Sequence, residues 1–111
     1  MNDRAKKRLW DAAEACDAIA GFVEGKEFTV YEADHLLRSG VERQLEIIGE
    51  ALGRAAHEDE TVAWRIPELR GIVGLRNRLI HGYDTVDDEV VWDIVQGKLP
   101  ALRAEIEALL G

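Results

Sequence analysis

The sequence predicts an all-α fold: an antiparallel bundle of four to five helices forming one domain over residues 1–111. Two observations predict it. Apolar residues recur at three- and four-residue steps, and no stretch alternates apolar with polar residues as a half-buried strand does. Helix start and stop signals punctuate those stretches, with proline at only two positions.

The first helix is expected from Asn2 or Asp3 to Val23, with Leu9, Ala13, Cys16, Ala20 and Val23 on one face, Ile19 and Phe22 widening it, and Gly25 as the stop. A second, long helix is expected to start at Thr29-Val30-Tyr31-Glu32. There the Thr hydroxyl and the Glu carboxylate can satisfy free N–H groups of the first turn as a capping box, with Phe28 stapling the entry. Its apolar stripe is Leu37, Val41, Leu45, Ile48 and Leu52, and it runs to about Ala56. Gly40 and Gly49 lie inside it and each costs up to about 1 kcal/mol relative to Ala, a cost that close approach of another helix would explain. Residues 57–65 read as a polar loop. A third helix follows with Pro67 in its first turn and Leu69, Val73, Arg76 and Ile80 along one line, ending near Gly82. Asp87 caps a fourth helix through Val90, Val91, Ile94 and Val95, and Gly97 and Pro100 separate it from a last one through Leu102, Ile106, Leu109 and Leu110.

Composition narrows the function. No apolar run approaches the roughly 20 residues that span a bilayer, and the charged N-terminus lacks the apolar segment of a signal peptide. The single cysteine, Cys16, leaves no intrachain disulfide, which fits a reducing compartment and points to the cytoplasm. On the helix-one stripe it reads as a small buried hydrophobe. The net charge of −8 argues against a protein held on nucleic acid by bulk electrostatics. Yet residues 65–81 carry four arginines (Arg65, Arg70, Arg76, Arg78) against one acid, Glu68. A small basic site on an acidic body suits an enzyme that touches a few phosphates.

The chemistry concentrates in Arg76-Asn77-Arg78-Leu79-Ile80-His81-Gly82-Tyr83. Asn77 and His81 share a helix face, so the Asn amide can orient the imidazole. Arg76 and His81 are five positions apart, about 140° around a straight helix. That offset makes a one-chain site awkward unless the helix end is distorted near Gly82; pairing with the same motif of a second chain would also solve it, lining one cleft with two arginines and two histidines. These residue types suit RNA cleavage. The 2′-hydroxyl attacks the neighbouring phosphate, histidine serves as base or acid near neutral pH, and a guanidinium steadies the charge on phosphorus. No metal or other cofactor is expected, because His35, His57 and His81 are scattered without ligand spacing. Spacing alone leaves bland readings open: His81 as a histidine facing the helix dipole, Arg76 as a salt-bridged arginine, Tyr83 as a rim aromatic.

Arg76-Asn77-x3-His81-Gly82-Tyr83 resembles the Arg-x4-His-x-Tyr signature of HepT toxins in the HEPN superfamily. The likeness extends over nearly the whole chain. Phe28, Asp34 and Glu42–Ala51 resemble the family's second helix, Ile72 and Gly74–Asn77 its third, and Val86-Asp87, Val91-Trp92 and Leu99–Leu102 its C-terminal part. Trp64-Arg65-Ile66-Pro67 departs from it, since the family more usually places proline before tryptophan. The resemblance implies a metal-independent endoribonuclease acting on tRNA or mRNA. It implies a homodimer with the motifs facing across the interface, and a minimal nucleotidyltransferase antitoxin that attaches AMP to the motif tyrosine. It assigns Arg76 to phosphate binding, His81 to acid–base chemistry, Asn77 to orienting His81 and Tyr83 to modification. Arg78 stands at a variable motif position as a weaker candidate for RNA contact.

Other residues have plainer readings. Trp10 and Trp92 read as core or interface packing, and Glu42, Glu46 and Glu50 as a solvated face from which one acid could pair with a motif arginine. Two further functions stay open: a non-catalytic nucleotide- or partner-binding subunit of a nucleotidyltransferase complex, and a structural helical dimer with a degenerate site.

Overall fold

The computed structural model describes all 111 residues. Asn2 starts the chain's first helix, α1 (Asp3–Val23), its Oδ1 accepting from the Ala5 N–H at 2.8 Å. Leu9, Ala12, Ala13, Ala15, Cys16, Ile19 and Val23 are buried, so small alanines let a second helix come close. Ala20 and Phe22, expected on the buried face, are exposed. Gly25 turns the chain away with φ 71°, a left-handed conformation that strains residues with a Cβ.

The expected second helix is two. α2 (Phe28–Ala33) is followed by α3 (His35–Glu58), and the break is Asp34 in extended conformation. Its Oδ1 accepts from the Leu37 N–H at 3.0 Å, so Asp34 caps the long helix. Thr29 lies inside α2 and makes no capping bond; the residue before α2 is Glu27, which makes none either. The break lets α2 carry Tyr31 onto Trp92, with ring centroids 5.2 Å apart, and Phe28 beside it at 6.4 Å.

The expected loop after α3 contains a short helix, α4 (Thr61–Arg65). Asp59 accepts from both the Thr61 hydroxyl and the Thr61 N–H, at 2.7 and 3.0 Å, and these bonds hold its carboxyl below the usual range. Pro67 stands before α5 (Leu69–His81), outside its first turn. The buried face of α5 is Leu69, Ile72, Leu75 and Leu79, whereas Val73, Arg76 and Ile80 flank it. A 3-10 turn (Tyr83–Thr85) leads to α6 (Asp88–Gly97), capped by Asp87 as expected, and then α7 (Leu99–Leu110).

The helices assemble around α3. α1 runs antiparallel to it: Arg4 near the start of α1 pairs with Glu58 at the end of α3 at 3.2 Å, and Phe22 near the end of α1 faces Gly40 near the start of α3. α5 lies against α3, also antiparallel, with Val73 opposite Gly53 and Arg76 opposite Gly49. α7 packs on α1, and α6 bridges α7 and α2. One apolar cluster of 25 buried residues joins these elements. The fold is the all-α antiparallel bundle that periodicity predicts, with five substantial helices and two short ones. No helix is long and apolar enough to cross a membrane.

Candidate active site

The arginine-rich motif occupies the last two turns of α5 and the 3-10 turn beyond. Gly82 ends the helix, its N–H donating to the Arg78 carbonyl at 2.8 Å. The Thr85 N–H and hydroxyl then both donate to the Gly82 carbonyl, at 2.9 and 2.7 Å. This tight turn places His81 and Tyr83 in solvent close together in sequence, with Tyr83 75% exposed. Arg78 Nη2 donates to the Thr85 carbonyl at 3.4 Å, tying the turn back to α5.

Arg76 is seated differently. Its stem lies on α3 where Gly49 has no side chain: a Cβ at position 49 would stand 2.4 Å from Arg76 Cβ and 3.0 Å from its Cγ. Nη1 donates to Asn77 Oδ1 at 3.1 Å, while Nε is shielded from solvent and donates to nothing. No carboxylate lies within ion-pairing distance of Arg76. Of the α3 acids, Glu46 pairs with Arg43 at 3.2 Å and Glu50 with Arg54 at 3.0 Å, and Glu42 pairs with no arginine. The expected pairing of an α3 acid with a motif arginine is therefore absent.

The expected Asn77–His81 hydrogen bond is also absent; Asn77 turns its Oδ1 to Arg76, and the His81 ring makes no hydrogen bond. Arg76 packs its stem on α3 at Gly49, whereas His81 is the exposed last residue of α5. The helical offset between them persists, with no distortion of the helix end that would bring them together.

Residues 12–109, nearly the whole chain, match the family described as "Ribonuclease HepT-like". The chain belongs to the HepT-like ribonuclease family. It is 35% identical to a "Probable ribonuclease HepT" of Thermococcus cleftensis over 98% of each chain. It is also 32% identical to a "Putative RNase" of Methanocaldococcus jannaschii, covering 92% of this chain and 93% of that one. No solved structure matches it significantly.

The matched span of this HepT-like chain includes the motif and every helix that supports it. Sequence reasoning located the motif but missed what surrounds Arg76. The glycine at 49 was a visible signal of helix contact, yet its partner could not be read from spacing. Arg8 and Arg54, which lie with Arg76 around one cleft, carried no signal at all, being ordinary charged positions on exposed helix faces. The three tryptophans separate clearly. Trp92 is half-buried against Tyr31, but Trp10 and Trp64 are 56% and 74% exposed, so Trp10 is not a core residue. Cys16 is buried as expected, and burial pushes its thiol up to about 12.

Proposed function

We propose that this HepT-like chain is the toxin of a type VII-like toxin–antitoxin pair, a metal-independent endoribonuclease acting on cytoplasmic tRNA or mRNA. The observation that carries the reading is the intact set of Arg76, Asn77, His81 and Tyr83 in a chain that matches the family along nearly its whole length. The 2′-oxygen attacks the adjacent phosphorus as His81, or the His81 of a second copy, accepts its proton. The bond from phosphorus to the 5′-oxygen breaks, and an imidazolium returns a proton to that oxygen. The products are a 2′,3′-cyclic phosphate and a 5′-hydroxyl. Arg76 holds the phosphate oxygens by charge-assisted hydrogen bonds. Asn77 steers Arg76 in the lone chain and His81 in the assembled site, while Arg78 adds a weaker phosphate contact.

Two features favour a homodimer site. Arg76 and His81 of one chain stand five residues apart on a regular helix, about 140° around it, and His81 has no hydrogen-bond partner of its own. A facing motif answers both. The exposed Tyr83 phenol suits modification by a nucleotidyltransferase antitoxin. Its oxygen attacks the α-phosphorus of ATP, releasing pyrophosphate and leaving AMP on the tyrosine. The added bulk and negative charge would keep RNA phosphates out of the cleft.

Cleavage of tRNA and mRNA in EDTA tests this. Wild type should cut, and His81→Ala should lose activity by about 10²–10⁴-fold, the usual worth of acid–base catalysis. Cleavage that needs added metal, or that survives in His81→Ala, overturns it. Coexpression with the partner should add AMP to Tyr83, visible by mass spectrometry. The lack of an orienting partner for His81 also fits the second reading, a non-catalytic subunit of a nucleotidyltransferase complex. A tight complex with no nuclease activity in either protein would establish that one.

A further inference from the structure

Behind the motif, α1, α3 and α5 enclose a cleft of about 470 Å³ whose charged lining is Arg8, Glu50, Arg54, His57, Glu58 and Arg76. Its two acids are already engaged: Glu50 by Arg54 at 3.0 Å, and Glu58 by Arg4 at 3.2 Å. Arg8 has no carboxylate partner, and Arg76 combines a solvent-shielded, unpartnered Nε with the same lack of an acid. On a chain of net charge −8, unpaired arginines converging from two helices are the reverse of the general surface. The floor is α3 at Gly49 and Gly53, where the stem of Arg76 and the side chain of Val73 lie on the glycine backbone. A second cleft of about 580 Å³ shares Arg8, Glu50 and Arg54 and continues between α1 and α3, but there the lining adds Asp11 and Glu14. Favourable potential for an anion therefore ends at Arg8 and Arg54.

We propose that Arg8 and Arg54, beside Arg76, hold a phosphodiester of the RNA strand flanking the one that is cleaved. The inference rests on the ribonuclease reading and deepens it by adding a second phosphate position. Arg76 belongs to both, because its Nη1 lies toward Asn77 in the motif while the residue also lines the cleft; its Nε is closed off from solvent and takes no part in holding the phosphate. A guanidinium suits this task because its planar fork matches phosphate oxygens bidentately. Arg54 exchanges an exposed pairing with Glu50 for the phosphate, which costs little, since exposed ion pairs contribute little. The acidic continuation limits the subsite to one or two phosphates, so it positions the strand without gripping a long stretch of it.

Binding of a short, labelled single-stranded RNA, measured in a His81→Ala background across a salt series, tests the proposal. Arg8→Gln and Arg54→Gln should each weaken binding about 3- to 10-fold and each reduce the slope of log affinity against log salt by about 0.7, one phosphate contact on a single strand. Lys6→Gln removes the same charge from an exposed site outside the cleft and should change neither. With His81 present, both arginine variants should raise KM and keep kcat within about twofold. An Arg8→Gln/Arg54→Gln double variant with wild-type helical circular dichroism, affinity and salt slope would overturn the proposal while leaving the ribonuclease reading intact. The same double variant binding RNA normally but losing a protein partner would overturn it too, assigning the cleft to that partner. Cleavage that survives in His81→Ala would sink the ribonuclease reading alone, since the salt slopes still decide the subsite. A wild-type chain that neither binds nor cuts RNA ends both.

Discussion

Arg76 and Gly49 act as a pair: the motif arginine can lie across α3 only because position 49 carries no side chain. Gly49→Ala puts a methyl group inside Arg76, and neither backbone can yield without separating α3 from α5. Overpacking of this kind costs about 1–3 kcal/mol. Chemical denaturation should show that loss, and RNA cleavage should fall with it because the guanidinium is displaced. Tyr31 makes the opposite case. Its ring is fully buried against Trp92, but its hydroxyl has no hydrogen-bond partner. A buried unpaired hydroxyl costs about 1–3 kcal/mol, so Tyr31→Phe should fold at least as stably as wild type in a thermal melt. At this scale the sequence showed which residue types stand in the motif. It could not show that Asn77 faces Arg76 in the single chain, because two neighbours compete for one amide and only side-chain placement decides between them.

Helix boundaries separate local signals from tertiary ones. Thr29-x-x-Glu32 has the form of a capping box, yet the cap that operates is Asp34, five residues on. Packing chooses between them: a helix continuous from Thr29 would follow the axis of α3 and could not lay Tyr31 and Phe28 on Trp92 of α6. Asp34→Ala should therefore lower stability by about 1 kcal/mol, as loss of an N-cap does. Thr29→Ala, exposed and bonded to nothing, should stay within about 0.5 kcal/mol of wild type. Paired denaturation curves distinguish the two. On α5 the three- and four-residue spacing was legible, but the centre of the buried face was misplaced. Leu69, Val73, Arg76 and Ile80 trace a helical line as regular as Leu69, Ile72, Leu75 and Leu79, and only the packing of the shared core buries the latter.

Across the whole molecule, Glu42 couples stability to pH. Half-buried on α3, its carboxyl is pushed above the usual range first by burial and then by Asp88, with Glu46 adding to the rise and Arg38 and His35 opposing it. The folded chain thus keeps the Glu42 proton to higher pH than the unfolded chain does. As pH rises from the ordinary carboxylate value through the raised one, the unfolded state is favoured and this contribution to stability is lost. Glu42→Gln should accordingly melt higher than wild type at pH 7, and the gain should shrink as pH falls below the ordinary carboxylate range. An equal gain at pH 3.5 and pH 7 would show that titration is not the cause.

The sequence by itself determined the all-helical class, the family and the chemical identity of the motif, because periodicity, caps and residue types are local properties of the chain. Which helix faces meet, where α2 parts from α3, and how Arg76 lies over Gly49 beside Arg8 and Arg54 were decided only by the tertiary structure. Those features depend on residues far apart in the chain excluding or accommodating one another's atoms, and no local pattern records that.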